Sequence, residues 1–250
     1  ATEGPATRAG YALAAEPMGR VLLQGGDASG ALLGDTWSWD GVAWSQVADG
    51  GPSTRTDHAM VFDQARGEFL LFGGFDGTWY NGETWAWRDG VWTLRSSTGP
   101  SPRLNHDMAY DPTHEEVVLF GGFTGIHQDG ETWTWDGIEW TLRDTTGPSP
   151  RTGHRMIYDP TRQAVMLVGG RGLKVDPSIV WLWNGQTWSQ DTTAIPTARE
   201  LHAMLFNRNT SRPLLSGGVD DNDASLGGTW ELVCQCPADF NGDGFVDSRD

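Results

Sequence analysis

The segment Asp239-Phe240-Asn241-Gly242-Asp243-Gly244-Phe245-Val246-Asp247-Ser248-Arg249-Asp250 sets side-chain oxygens at positions 1, 3, 5, 9 and 12 of a twelve-residue loop. Gly244 stands at position 6, where the chain must turn sharply, and Phe245 at position 7 offers a backbone carbonyl. That spacing serves a hard cation taking about six to eight oxygens, so Asp239, Asn241, Asp243, Phe245, Asp247 and Asp250 are the expected calcium ligands.

A second set of chemical groups is spread over the chain. Arg-x-x-His occurs at Arg55/His58, Arg103/His106, Arg151/His154 and Arg199/His202, with Arg8/Tyr11 as a variant. Four converging histidines would suit a metal, and arginines at the mouth of a channel would suit carboxylates, which makes Arg55, Arg103 and Arg151 ligand-binding candidates. A residue repeated in every unit ordinarily serves the unit, and equivalents on opposite sides of a ring stand too far apart to share one ion. The histidines are therefore expected to be structural. Trp79 and Tyr80 lie off the repeat pattern and are the candidates for stacking on a sugar or inserting into a partner.

What must position these groups is a repeat. The arginines are spaced by 47, 48, 48 and 48 residues; Gly-Gly recurs at 25/26, 73/74, 121/122, 169/170 and 217/218. Trp-x-Trp recurs at 37/39, 85/87, 133/135 and 181/183, reduced to Trp230 in the last copy, and a further Trp follows at 44, 92, 140 and 188. Each copy reads as four short strands rich in aromatic and β-branched residues, bounded by Gly, Asp and Pro. In the second copy these are His58–Phe62, Phe69–Phe72, Thr84–Trp87 and Val91–Leu94. Asp40-Gly41, Asp89-Gly90, Asp136-Gly137 and Asn184-Gly185 are tight hairpin turns between strands three and four. The second strands, VLL, FLLF, VVLF and VMLV, are almost wholly apolar and so require cover on both faces. Radial stacking of sheets supplies that cover, whereas a two-sheet sandwich gives no reason for a fixed period. The expected fold is an all-β propeller of four-stranded antiparallel blades. Its repeats span 8–54, 55–102, 103–150, 151–198 and 199–233, within a domain of residues 1–233 followed by a linker and calcium loop at 234–250.

Arg103, His106, Leu119–Gly122, Trp133, Trp135 and Trp140, with their copies, resemble the kelch repeat over residues 8 to 233. The resemblance implies strand one innermost, strand four outermost, and the Gly-Gly loops 27–34, 75–82, 123–130, 171–178 and 219–227 on the same side as the Arg-x-x-His openings. Kelch propellers host partner binding, carbohydrate oxidation and sugar epimerisation, so the resemblance implies a fold more than an activity. Asp250 at position 12 and Val246 at position 8 resemble the calcium loop of dockerin modules, which implies a cohesin-like scaffold partner. Residues 1–7 (ATEGPAT) match the linker 48–54 (ADGGPST), while Trp230–Val233 is a third strand with no fourth after it. The last blade is thus expected to lack its outermost strand, and the natural protein to extend N-terminally by one strand or by further blades.

With 17 basic against 33 acidic side chains, the net charge of −16 repels nucleic acid and anionic membranes. No apolar run approaches the roughly 20 residues of a membrane span. Cys234 and Cys236, one residue apart, would make a strained bridge. Both cysteines lie beyond the last blade, and the tyrosines are Tyr11, Tyr80, Tyr110 and Tyr158, which counts strongly against a copper-radical oxidase with a Tyr–Cys crosslink. The expected function is a secreted or cell-surface monomeric module that binds carbohydrate or protein through its loops and docks through calcium. The alternative is a sugar epimerase or hydrolase with its site at the channel mouth.

Overall fold

A computed structural model describes residues 4–172, 179–191, 195, 198–220 and 222–232. They form five antiparallel sheets in chain order. Blade 1 comprises β1 (Ala12–Ala15), β2 (Val21–Ala28), β3 (Ala31–Trp39) and β4 (Trp44–Ala48). Blade 2 comprises β5 (Ala59–Asp63), β6 (Glu68–Phe72), β7 (Thr84–Arg88) and β8 (Val91–Ser96), and blade 3 β9 (Asp107–Asp111), β10 (Glu116–Phe120), β11 (Thr132–Trp135) and β12 (Trp140–Asp144). Blade 4 holds β13 (Arg155–Asp159), β14 (Ala164–Val168), β15 (Val180–Trp183) and β16 (Trp188–Asp191). Blade 5 has β17 (Ala203–Asn207), β18 (Arg212–Ser216) and β19 (Thr229–Glu231), three strands among the described residues. The architecture is a propeller, with one blade for each of the five repeats.

The core lies between blades. Leu70, Phe72 and Ala59 of blade 2 pack on Met108, Val117, Leu119, Trp135 and Trp140 of blade 3. The equivalents Ala109, Val118 and Phe120 meet Met156, Val165, Leu167 and Trp183 of blade 4. β6 and β14 are buried along their whole length, as sheets covered on both faces must be. Trp135 and Trp183 are fully buried and Trp87 nearly so; at about 25 cal/mol per Å² each hides several kcal/mol of apolar surface before entropy is deducted.

Three sets of hydrogen bonds tie each blade to the next. The second glycine of each pair donates to the carbonyl of the following blade's arginine: Gly26 to Arg55, Gly74 to Arg103, Gly122 to Arg151 and Gly170 to Arg199, at 2.8–2.9 Å. Trp92, Trp140 and Trp188 donate Nε1–H to Thr36, Thr84 and Thr132 of the blade before, at 2.8–2.9 Å. Around the axis, the amide of Asp57 donates to the Gly10 carbonyl, Asn105 to Asp57, Gly153 to Asn105 and Leu201 to Gly153.

The axial residues Gly10, Asp57, Asn105, Gly153 and Leu201 all have left-handed backbone, with φ between 53° and 67°. Gly, Asn and Asp tolerate that conformation, whereas a branched apolar side chain costs about 1–2 kcal/mol. Leu201 is 55% exposed, so little burial compensates it. Leu201→Asn is expected to stabilise the protein by about 1 kcal/mol, read as a rise in the urea midpoint.

Candidate functional site

The loop-bearing face is built on buried arginines. Arg103 Nε donates to Ser101 O at 2.9 Å, Nη1 to Gly121 O at 2.9 Å, and Nη2 to Ser101 Oγ and Glu131. Nη2 also lies 3.0 Å from Asp129. One guanidinium thus joins the linker entering the blade, the Gly-Gly turn and the segment leading to β11. Arg55 repeats the pattern with Ser53, Gly73 and Glu83, and Arg151 bonds Ser149 O and Gly169 O. These three arginines are essentially inaccessible, so their charges face the protein interior.

The glycine pair is required by the same junction. A Cβ on Gly73 would stand 2.6 Å from both the Arg103 carbonyl oxygen and His106 Cε1, and its φ of 75° suits glycine. The four histidines are consequently spread between blades. His106 meets the edge of Phe72 and His154 that of Phe120, with centroids 5.5 Å apart in both cases. Burial, followed by the field of the adjacent Arg55, drives the imidazole of His58 down to about 3; His202 falls to the same level, and His106 and His154 lie well below the usual range. All four are neutral at ordinary pH, and among the described residues no cluster of His, Cys, Asp and Glu could hold a metal.

Above this frame the segments after Gly-Gly are short hairpin tips. In blade 1, β2 and β3 simply continue through Ser29-Gly30, pairing Asp27 with Leu32. In blade 2, Phe75 bridges Tyr80, and Asp76 Oδ1 accepts the amides of Thr78 and Trp79 at 2.9 and 2.8 Å. These amide bonds hold the Asp76 carboxyl below its usual range. Trp79 is 72% exposed at the tip. Tyr80 lies beneath, tilted on Phe75 at 5.3 Å and edge-on to Phe123 of blade 3 at 6.0 Å. Blade 3 repeats the tip with Phe123 bridging Gln128, leaving Ile126 88% exposed. The structure therefore separates the two predicted aromatics into an exposed ring and its buttress. Of loop 171–178, residues 173–178 lie outside the described set, as does the whole predicted calcium loop, Asp239 to Asp250.

A pair that the sequence reading passed over lies on the axial strands. At the position filled by Ala12, Ala59 and Ala203 in three blades, blade 3 has Asp107 and blade 4 has Arg155. Asp107 accepts the Met156 amide at 2.7 Å; burial pushes its carboxyl up while Arg155 pulls it down. Among the described residues the hydrogen bond of the Arg155 side chain is to the His154 carbonyl, at 3.3 Å. The signal was available as a departure from alanine in one column of the repeat.

No protein-family model matches the chain, and no curated protein matches it. Among solved structures it is similar to one described as "Structure of YjhT", with a TM-score of 0.72 at 12% identity, over 89% of this chain and 80% of that one. At that identity the likeness is one of fold.

Proposed function

We propose that the chain is a binding module of the kelch type, which recognises a carbohydrate or a protein partner through the hairpin tips of blades 2 and 3. The observation that carries this reading is Trp79, an exposed indole on a tip fixed by Asp76 and braced by Tyr80, Phe75 and Phe123. A large aromatic with few rotatable bonds, presented on a tip of fixed backbone, gives much contact area for little entropy lost, and such residues dominate recognition surfaces. Trp79→Ala is expected to weaken the partner or glycan by about 30-fold or more while leaving the melting temperature unchanged. Glycan-array and pull-down profiles that match the wild type would remove the assignment.

The acidic segment from Asp239 to Asp250 completes the reading as a calcium-dependent docking element of a secreted or cell-surface protein, on the strength of its ligand spacing. Calcium titration followed by calorimetry, with EDTA as the reversing arm, tests it separately from the tips. A second reading, a sugar epimerase or hydrolase at the channel mouth, is favoured by Asp107 and Arg155, a carboxyl group and a fixed cation on neighbouring axial strands. Asp107→Asn would abolish any such turnover and leave tip binding intact.

A further inference from the structure

The glycine–arginine and axial bonds run from blade 1 through to blade 5 and stop at the seam between blades 5 and 1, where a tryptophan–threonine bond like those of blades 1 to 4 is also missing among the described residues. Gly218 carries the second glycine of its pair, yet its amide does not reach the carbonyl of Arg8. The Leu201 carbonyl and the Gly10 amide, successive members of the axial ring, are not joined either. Trp44 has no threonine hydroxyl for its Nε1, and Thr229 hydrogen-bonds Ser216 instead of a tryptophan. All these residues belong to the described set.

The apolar faces on the two sides of the seam are correspondingly bare. Leu13 is 53% exposed where Met60, Met108 and Met156 are at most 8% exposed, and Tyr11 is 45% exposed where the histidines are at most 6%. Across the seam Leu205 is 54% exposed, although its counterpart Ala109 is buried. A cavity of about 470 Å³ lies against the inner strands of blades 1 and 2, lined by Leu13 to Pro17 and by Met60 to Phe62, and it reaches Arg208 of blade 5. Gly4, meanwhile, lies against Trp44 as Gly51 lies against Trp92, so the segment entering blade 1 follows the path of an inter-blade linker.

We propose that this seam is the docking site for one further blade built on the same 48-residue repeat. The occupant's chemistry follows from the interfaces that the seam continues. Its Gly-Gly amide meets the Arg8 carbonyl, its arginine carbonyl accepts from Gly218, and its axial residue accepts from Gly10 and donates to Leu201. A strand-three threonine receives Trp44, and a tryptophan of its own reaches Thr229. Blade 3 carries each of these groups in Gly122, Arg103, Asn105, Thr132 and Trp140. The seam thus selects a repeat blade over an unrelated partner, because an apolar helix or loop would leave the backbone groups unpaired.

The test compares the 250-residue chain with a version in which a copy of residues 103–146 is joined to Gly4. In the chain itself, hydrogen exchange should show the Gly10 and Gly218 amides exchanging about 100-fold or more faster than Asp57, Asn105 and Gly74. In the extended version both amides should become protected, the melting temperature should rise by about 5 °C or more as an interface is added, and the protein should stay monomeric. Protection of Gly10 and Gly218 in the unextended monomer would mean that five blades close on themselves. Protection that appears only as concentration raises a dimer would make the occupant a second copy. An added repeat that melts separately or fails to fold would mean that the seam does not seat a blade. Each of these three results overturns the proposal.

Discussion

Lowering the pH from 7.5 to 5 is expected to remove most of the folding free energy and to unfold the protein before pH 4. His58, His106, His154 and His202 are buried between blades with both ring nitrogens lacking a partner, each beside the buried arginine three residues earlier. Burial first, and second the charge of Arg55 at His58 and of Arg155 at His202, hold these two imidazoles down to about 3. In the unfolded chain an imidazole titrates at about 6.5, so below that pH the unfolded state takes up protons that the folded state refuses. The stabilisation is fully present above about 6.5, falls as the pH drops, and stops falling below the folded value near 3. At pH 5 the loss is about 2 kcal/mol per histidine, and four such losses compare with the about 5–15 kcal/mol that a domain possesses.

Carboxyl groups modify the profile without reversing it. Asp57, Asp63 and Asp107 are pushed up by burial, so they hold protons more tightly when folded and gain stability as the pH falls. Asp35, held down mainly by its hydrogen bond from Arg8, works in the opposite sense at lower pH. Urea midpoints at pH 7.5, 6, 5 and 4 check the expectation: the slope should approach four protons. His106→Gln should reduce it by one, whatever that substitution does to stability at pH 7.5. A midpoint independent of pH between 7 and 5 would mean that the imidazoles are solvated.

The architecture was legible because tryptophan, Gly-Gly and Arg-x-x-His each mark a fixed place in the blade, and five copies average out local ambiguity. β5 to β8 each differ from expectation by one or two residues at their ends, as frayed pairing allows. The roles of Arg55, Arg103 and Arg151 were less legible. An arginine that binds a ligand and one that binds Gly121 O look alike until the close approach at Gly73 and its copies is seen. Period alone also could not show that Trp44 and Trp230 would lack the burial of their counterparts: burial depends on the neighbouring blade, which the repeat does not encode within itself. Trp79 stood out only because it broke the pattern, and Asp107 and Arg155 broke it more quietly.

Replacing Arg103 by alanine is expected to cost about 3–5 kcal/mol, the usual penalty for removing one partner of a buried charge pair. The argument rests on what stays behind. Arg103 Nη1 supplies a hydrogen bond to Gly121 O, whose turn cannot relax because Gly121 is wedged against Arg151 O and His154. Loss of the guanidinium also leaves the Ser101 carbonyl and hydroxyl without their donor, and Asp129 and Glu131 without a countercharge. An unpaired buried acceptor costs about 1–3 kcal/mol, and the carboxylates, which are less buried, recover some solvation. Arg103→Lys keeps the charge but offers no planar fork, so it should recover less than half of the loss. Glu131→Gln, which removes only the more exposed partner, should cost about 1 kcal/mol or less. In the double variant Arg103→Ala/Glu131→Gln the cost should fall short of the sum of the two, because the amide needs no cation. Urea unfolding of the four proteins at pH 7.5 decides it. A loss under 1 kcal/mol for Arg103→Ala would show that water satisfies the Gly121 and Ser101 carbonyls once the side chain has gone, and that the blade is held by its apolar faces alone.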